Sequence, residues 1–287
     1  MDTLILEQNQ TKINAPGASL RGKLNDVVGQ WQDSESLGLS MAHNPRKPTG
    51  EMVLYRGGAQ VRVAKPKKHQ KQYGGGKRGQ IKEFSKASRR RLLQMLTQTQ
   101  KSAKPIFITL TYPGEYPQDP KLWKQHLEKF VKNLLYRYPD LGAVWKLEPQ
   151  RRGAPHYHLL VWGPNYNDLK ACVSLLWFRA VDSGDLRHLR AGTQVSRIRS
   201  WRGVMAYAGK YLGKVVDTCG WDSPGRFWGV ISRKNVPWAE AQIIEISERQ
   251  AIELMRYLRR YAKLRSRQYR SLTVFVNAPD QWERLIM

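Results

Sequence analysis

Ala143-Val144-Trp145-Lys146-Leu147-Glu148 and, after a short connection, Pro155-His156-Tyr157-His158-Leu159-Leu160-Val161-Trp162 decide how this chain folds. Each is an apolar run of strand length, and Pro149–Pro155 reads as the link between neighbouring strands. Side chains alternate along a strand, so His156 and His158 point to one face and Tyr157 to the other. Two imidazoles held side by side on a rigid element are a natural pair of metal ligands. Glu148, at the end of the first run, can come alongside them. A His-x-His pair alone is a weak signal, and the rest of the chain has to decide its meaning.

Working outward, Pro105–Tyr112 contains Ile106-Phe107-Ile108-Thr109-Leu110-Thr111, a strand of β-branched and aromatic residues ended by Pro113 and Gly114. Lys121–Tyr138 has helical spacing, with Leu122, Trp123, Leu127, Phe130, Val131, Leu134 and Leu135 on its apolar side. Asp168–Val181 reads as a second helix carrying Leu175, Leu176 and Trp177 inward, and Thr193–Ile198 as a short strand. Strand, helix, strand, strand, helix, strand is the ferredoxin-like split βαβ plan. The expectation is an α+β fold with an antiparallel sheet, both helices on one face and the active site on the other. A slip of one residue in register would turn the histidines inward.

The flanks are less regular. Residues 1–50 read as an irregular N-terminal arm, with a short helix around Leu24–Trp31. Residues 51–104 hold a hairpin around Arg56-Gly57-Gly58, a basic linker broken by Gly74-Gly75-Gly76, and a helix within Ile81–Gln100. Residues 105–235 form the split βαβ domain, with helical spacing over Arg202–Lys214 and a strand at Phe227–Ile231. Residues 236–287 form an arginine-rich helical extension. In that extension Trp238–Arg267 reads as one long or broken helix and Leu272–Val276 as a closing strand.

Composition narrows the function. A formal net charge of +26 favours a polyanionic partner, and thirteen tyrosines with ten tryptophans favour nucleic acid, whose unpaired bases stack on rings. Candidate DNA contacts are Lys65, Lys67 and Lys68 in the linker, Arg89 and Arg90, Arg151 and Arg152, and Arg259 and Arg260. Cys172 and Cys219 are too few for a disulfide framework and too isolated for a zinc site. No apolar run approaches the roughly 18–20 residues that span a bilayer, and Met1–Gln10 does not read as a secretory signal. The expectation is a soluble, cytoplasmic protein with no membrane partner.

A second constellation is Met205-Ala206-Tyr207-Ala208-Gly209-Lys210-Tyr211-Leu212-Gly213-Lys214. On a helix, Tyr207 and Tyr211 adjoin one turn apart, and Lys210 and Lys214 share their face. Two phenols and two ammonium groups make a poor core stripe, because each polar tip would need a buried partner. They make sense as nucleophiles beside phosphate-binding cations. A phenol has a reference pKa of about 10, so a nearby metal and lysines would help it attack.

With Phe107-Ile108-Thr109-Leu110-Thr111-Tyr112, Glu148…Pro155-His156-Tyr157-His158 and Tyr207…Lys214 in this order, the chain resembles rolling-circle replication initiators. It looks like a replication-associated protein of the HUH endonuclease superfamily, in the two-tyrosine group that includes filamentous-phage and microvirus initiators. The resemblance covers roughly Pro105–Lys214. It implies a site-specific single-strand DNA endonuclease and strand transferase that leaves a 5′-phosphotyrosine and a free 3′-hydroxyl. It also implies His156, His158 and Glu148 as ligands of Mg²⁺ or Mn²⁺, Tyr207 and Tyr211 as nucleophiles, and Lys210 and Lys214 at the scissile phosphate. Single-stranded or origin DNA is then the partner, in the cytoplasm of a bacterial host if the gene belongs to a phage or plasmid. The chain contains no G-x-x-x-x-G-K-[ST] loop, so a separate host helicase and polymerase are expected. A transposase, a plasmid-mobilisation relaxase, or a DNA-binding protein that has lost catalysis remain alternatives. Thr109 and Thr111 read as sheet residues that shape the DNA face rather than as catalysts, and His126 and His188 as unremarkable surface residues.

Overall fold

A computed structural model describes residues 3–4, 50–55, 60–64, 79–100, 102–200, 220–261 and 271–275. Its strands are β1 (Thr3–Leu4), β2 (Gly50–Tyr55), β3 (Gln60–Ala64), β4 (Ile106–Thr111), β5 (Gly142–Pro149), β6 (Pro155–Trp162), β7 (Thr193–Arg197), β8 (Trp228–Ile231), β9 (Ala241–Ile246) and β10 (Ser271–Phe275). Its helices are α1 (Lys86–Leu96), α2 (Pro120–Arg137), α3 (Tyr166–Val181), α4 (Leu186–Ala191) and α5 (Glu248–Tyr261), with a 3-10 turn at Arg233–Asn235. The chain divides into a contiguous unit, Lys71–Glu240, and a discontinuous one made of Met1–Gln70 with Ala241–Met287.

The contiguous unit is built on an antiparallel sheet in the order β7-β4-β6-β5-β8. Its first four strands reproduce the split βαβ arrangement, and β8 adds to the outer side of β5. The fold is α+β, as the element order predicts. Ile108, Leu110, Leu147, Tyr157 and Leu159 face α2 and α3, which answer with Trp123, Phe130, Leu134, Leu169, Val173 and Trp177. Asp119 caps α2 by accepting from the Lys121 N–H, and Pro120 needs no partner in the first turn. Asn165 caps α3 in the same way through the Asn167 N–H. Leu175 differs from the sequence expectation and is 40% exposed. Three consecutive helical residues span about 200° of the surface, so Trp177 goes inward and Leu175 outward.

The second sheet face also departs from expectation, because part of it is covered. Val144, Leu160, Phe107 and Trp162 point to this side and are buried, as are Leu92, Leu93 and Leu96 of α1. Phe84 lies over the Lys146 ammonium, and the Trp228 indole N–H donates to Ser88 Oγ. The physical reason is plain in the residues: an apolar side chain left in water forgoes roughly 1.5–3 kcal/mol. The open part of this face is the end that carries the histidines.

In the discontinuous unit the sheet order is β1-β10-β3-β2-β9. The β2–β3 hairpin is antiparallel, as Arg56-Gly57-Gly58 predicts, and β10 pairs antiparallel to β3. The stretch Trp238–Arg267 is not one helix. Ala241–Ile246 forms β9 against β2, and only Glu248–Tyr261 is helical. Exposed Ile243 and Glu245 alternate with half-buried Ile244 and Ile246, a period of two in a β-branched run. Ala251, Leu254 and Met255 form the buried side of α5, while Arg256 and Arg260 are exposed.

Candidate functional site

Register brings the site together. Glu148 pairs with His156 and Lys146 with His158 across β5–β6, while Thr111 pairs with His156 and Thr109 with His158 across β4–β6. Directly paired residues share a face, so all six side chains project from the same side of the sheet. His158 Nε2 lies 2.7 Å from Glu148 Oε1, and the Lys146 ammonium donates to Glu148 Oε2 at 3.0 Å. Thr111 Oγ1 is 3.1 Å from His156 Nδ1, and Thr109 Oγ1 is 3.3 Å from His158 Nδ1. The two imidazole centroids are 4.5 Å apart at 82°, and Phe107 stacks on His158 at 5.3 Å.

The electrostatics favour donors rather than acids. Burial alone would raise the Glu148 carboxyl, but the His158 hydrogen bond and the Lys146 charge outweigh it and hold the group at about 2. Burial, reinforced by the charge of His158 and opposed by Glu148, pushes the His156 imidazole down to about 4. At neutral pH Glu148 is therefore a carboxylate, and His156 keeps a free lone pair. An open cleft of about 290 Å³ borders the histidines and runs across Thr109 and Thr111 to Thr193, Gln194 and Ser196 near the β7 edge.

This donor set suits a divalent cation: one ionised carboxylate and two imidazoles, each with Nδ1 already engaged by a threonine hydroxyl. The side chains are close-packed rather than pre-spread. Among the described residues no three His, Cys, Asp or Glu groups stand in ligating geometry, and an ion would enter by parting Glu148 from His158. Lys146 is a member of the site that the sequence reading does not single out. It sits inside the run Val144–Leu147 and is fully buried, with its charge neutralised by Glu148. Its place two residues before Glu148 is the available signal, since i and i+2 share a strand face.

The segment that carries this geometry also has a relative among known families. Residues 105–216 match the family of replication-associated protein ORF2. No curated protein and no solved structure matches the chain. The matched segment spans β4 to β7 and continues through Tyr207, Lys210, Tyr211 and Lys214, four predicted site residues that lie outside the described residues. Lys65, Lys67 and Lys68 also lie outside them, as do the predicted helix at Leu24–Trp31, Trp201 and Cys219.

The remaining basic candidates separate by what they touch. Arg152 commits its guanidinium to the scaffold, donating to the carbonyls of Tyr112, Pro113 and Gly114 and to Gln150 Oε1. It ties the β5–β6 turn to the loop after β4. Arg151 and Arg260 are exposed, and Arg90 and Arg259 are half-buried. Arg89 on α1 is half-buried too, with a buried Nε that has no hydrogen-bond partner. His188 is not a surface residue, being 4% exposed, while His126 meets the Tyr112 hydroxyl at 3.0 Å. Among the described residues no helix is long and apolar enough to cross a membrane.

Proposed function

We propose that this chain initiates DNA replication by nicking one strand at an origin and joining itself to the 5′ end. The observation that carries the proposal is the convergence of Glu148, His156 and His158 on one sheet face, within the segment that matches the replication-associated family. Those three side chains would hold Mg²⁺ or Mn²⁺, which when bound would polarise a phosphate oxygen as a Lewis acid. Neutral His156 and ionised Glu148 are the protonation states that ligation needs. Tyr207 or Tyr211 supplies the nucleophile. Its phenol oxygen bonds to phosphorus, the P–O3′ bond breaks, and the 3′ oxygen takes up a proton in place of the one the phenol loses. The phosphodiester energy is kept in the tyrosyl ester, so the second tyrosine can accept the strand at the end of a round. Lys210 and Lys214 stabilise the attacked phosphate, and the +26 net charge draws in the DNA backbone. A separate helicase and polymerase of the host complete the reaction sequence.

Incubating the full chain with Mn²⁺ and single-stranded origin fragments should give a covalent adduct on a denaturing gel, and chelation should abolish it. An adduct that survives Tyr207→Phe/Tyr211→Phe would overturn the nucleophile assignment. One that forms undiminished in His156→Ala/His158→Ala would overturn the ligand assignment.

A further inference from the structure

Phe107, Thr109 and Thr111 occupy alternate positions of β4, and each touches a histidine of β6. We propose that they form an orienting rail for the two imidazoles, and that Thr111 is the positioning residue that holds His156 Nδ1–H and presents its Nε2 to a divalent cation. For the cation this rests on the function proposed above; for the imidazole it rests on hydrogen-bond geometry alone.

Thr111 is anchored through its main chain more heavily than a strand-end residue requires. Its N–H donates to Gly192 O at 2.8 Å. Its carbonyl accepts from the Trp177 indole N–H at 2.8 Å and from His188 Nε2 at 2.9 Å. A carbonyl can only accept, so His188 carries its proton on Nε2, and its Nδ1 accepts from Ser183 Oγ at 2.9 Å. Gly192 admits this arrangement because a Cβ there would meet His188 Cδ2 at 2.3 Å. His188, Trp177 and Gly192 thus fix the backbone of Thr111 from three sides. The hydroxyl is left one task, at His156 Nδ1.

The fold does not ask for threonine here. Valine has the same branched shape and the same preference for strands. What valine lacks is the oxygen, and the oxygen is what meets the imidazole. When a ligating histidine binds through Nε2, its Nδ1 carries the proton and needs an acceptor, and loss of such an acceptor typically weakens metal binding about 10- to 100-fold. Register protects the device, since a one-residue slip would put Ile108 and Leu110 against the histidines.

The test compares wild type, Thr111→Val and Thr111→Ser in the full chain. The readouts are ¹⁵N NMR of the histidine tautomers without metal and affinity for Mn²⁺ alone. Wild type should show a single Nδ1–H tautomer at His156, Thr111→Val a mixture, and Thr111→Ser the wild-type state. Mn²⁺ affinity should fall about 10- to 100-fold in the valine variant and return to within about threefold with serine. Equal tautomer populations in wild type and Thr111→Val, or serine behaving as valine, would overturn the positioning role. If wild type binds no Mn²⁺, the metal assignment of the proposed function fails, while the tautomer comparison still decides whether Thr111 pins His156.

Discussion

Glu148→Gln offers a sharp test of how the site is held together without metal. Its carboxyl stands at about 2 instead of 4.5, because the gains from His158 and Lys146 exceed the cost of burial. At about 1.4 kcal/mol per tenfold change in proton affinity, that difference amounts to about 3 kcal/mol. The folded-state value is depressed, so the contribution is fully present above pH 4.5 and is lost as the pH falls toward 2. Glutamine mimics the protonated carboxyl and leaves Lys146 buried without a counter-charge, which is expected to cost about 3 kcal/mol, the lower end for a broken buried pair. Urea unfolding in EDTA, followed by tryptophan fluorescence, reads the contiguous unit, which holds eight of the ten tryptophans. The gap between wild type and Glu148→Gln should be about 3 kcal/mol at pH 7 and about 1 kcal/mol at pH 3. An unchanged gap across that range would refute the ion-pair account of Glu148.

His156 predicts a separate window at higher pH. Its folded value is lowered from 6.5 to about 4, so its stabilising share is present above 6.5 and lost as the pH falls to about 4. His156→Gln should flatten stability between pH 6.5 and 4 in EDTA, and unaltered pH dependence there would contradict the shift. Gly192→Ala should destabilise the contiguous unit by about 1–3 kcal/mol through overpacking against His188, measured as a fall in the urea midpoint. Arg152→Ala should cost about 1 kcal/mol and speed hydrogen exchange at residues 112–114 and 150–153. Arg152→Lys should fail to restore it, because a single ammonium cannot reproduce a fork that serves three carbonyls.

The strands of the site are legible because their patterns are long and two-sided. Ile106–Thr111 and His156–Trp162 alternate so that Ile108, Leu110, Tyr157 and Leu159 bury together, which leaves the histidines on the opposite side. The cover over that second face is not legible, because α1 reads as a basic helix with a narrow apolar side. Only the register shows Val144 and Leu160 requiring a partner there. Lys146 escapes a sequence reading because a lysine inside an apolar run ordinarily reaches out to water; here it turns to a carboxylate two residues away. His188 reads as a surface residue because its own helix is short and polar, whereas its burial comes from Trp177 and Phe178 on α3 and from the Thr111 carbonyl. The β9 strand merges in sequence with the helix that follows it, since the run Ile243-Ile244-Glu245-Ile246 satisfies either period over so short a span.

The two-part build of the chain has a consequence for its birth on the ribosome. The β2–β3 hairpin is complete at Ala64, yet the strands that flank it, β9 and β10, begin only at Ala241 and Ser271. At roughly 5–20 residues per second, the hairpin waits on the order of ten to forty seconds for its neighbours. Throughout that interval its two edges are unpaired, while the contiguous unit, whose strands all lie between residues 106 and 231, emerges with every partner it needs. The order of synthesis therefore favours completion of the inserted unit first, and the surrounding sheet closes last.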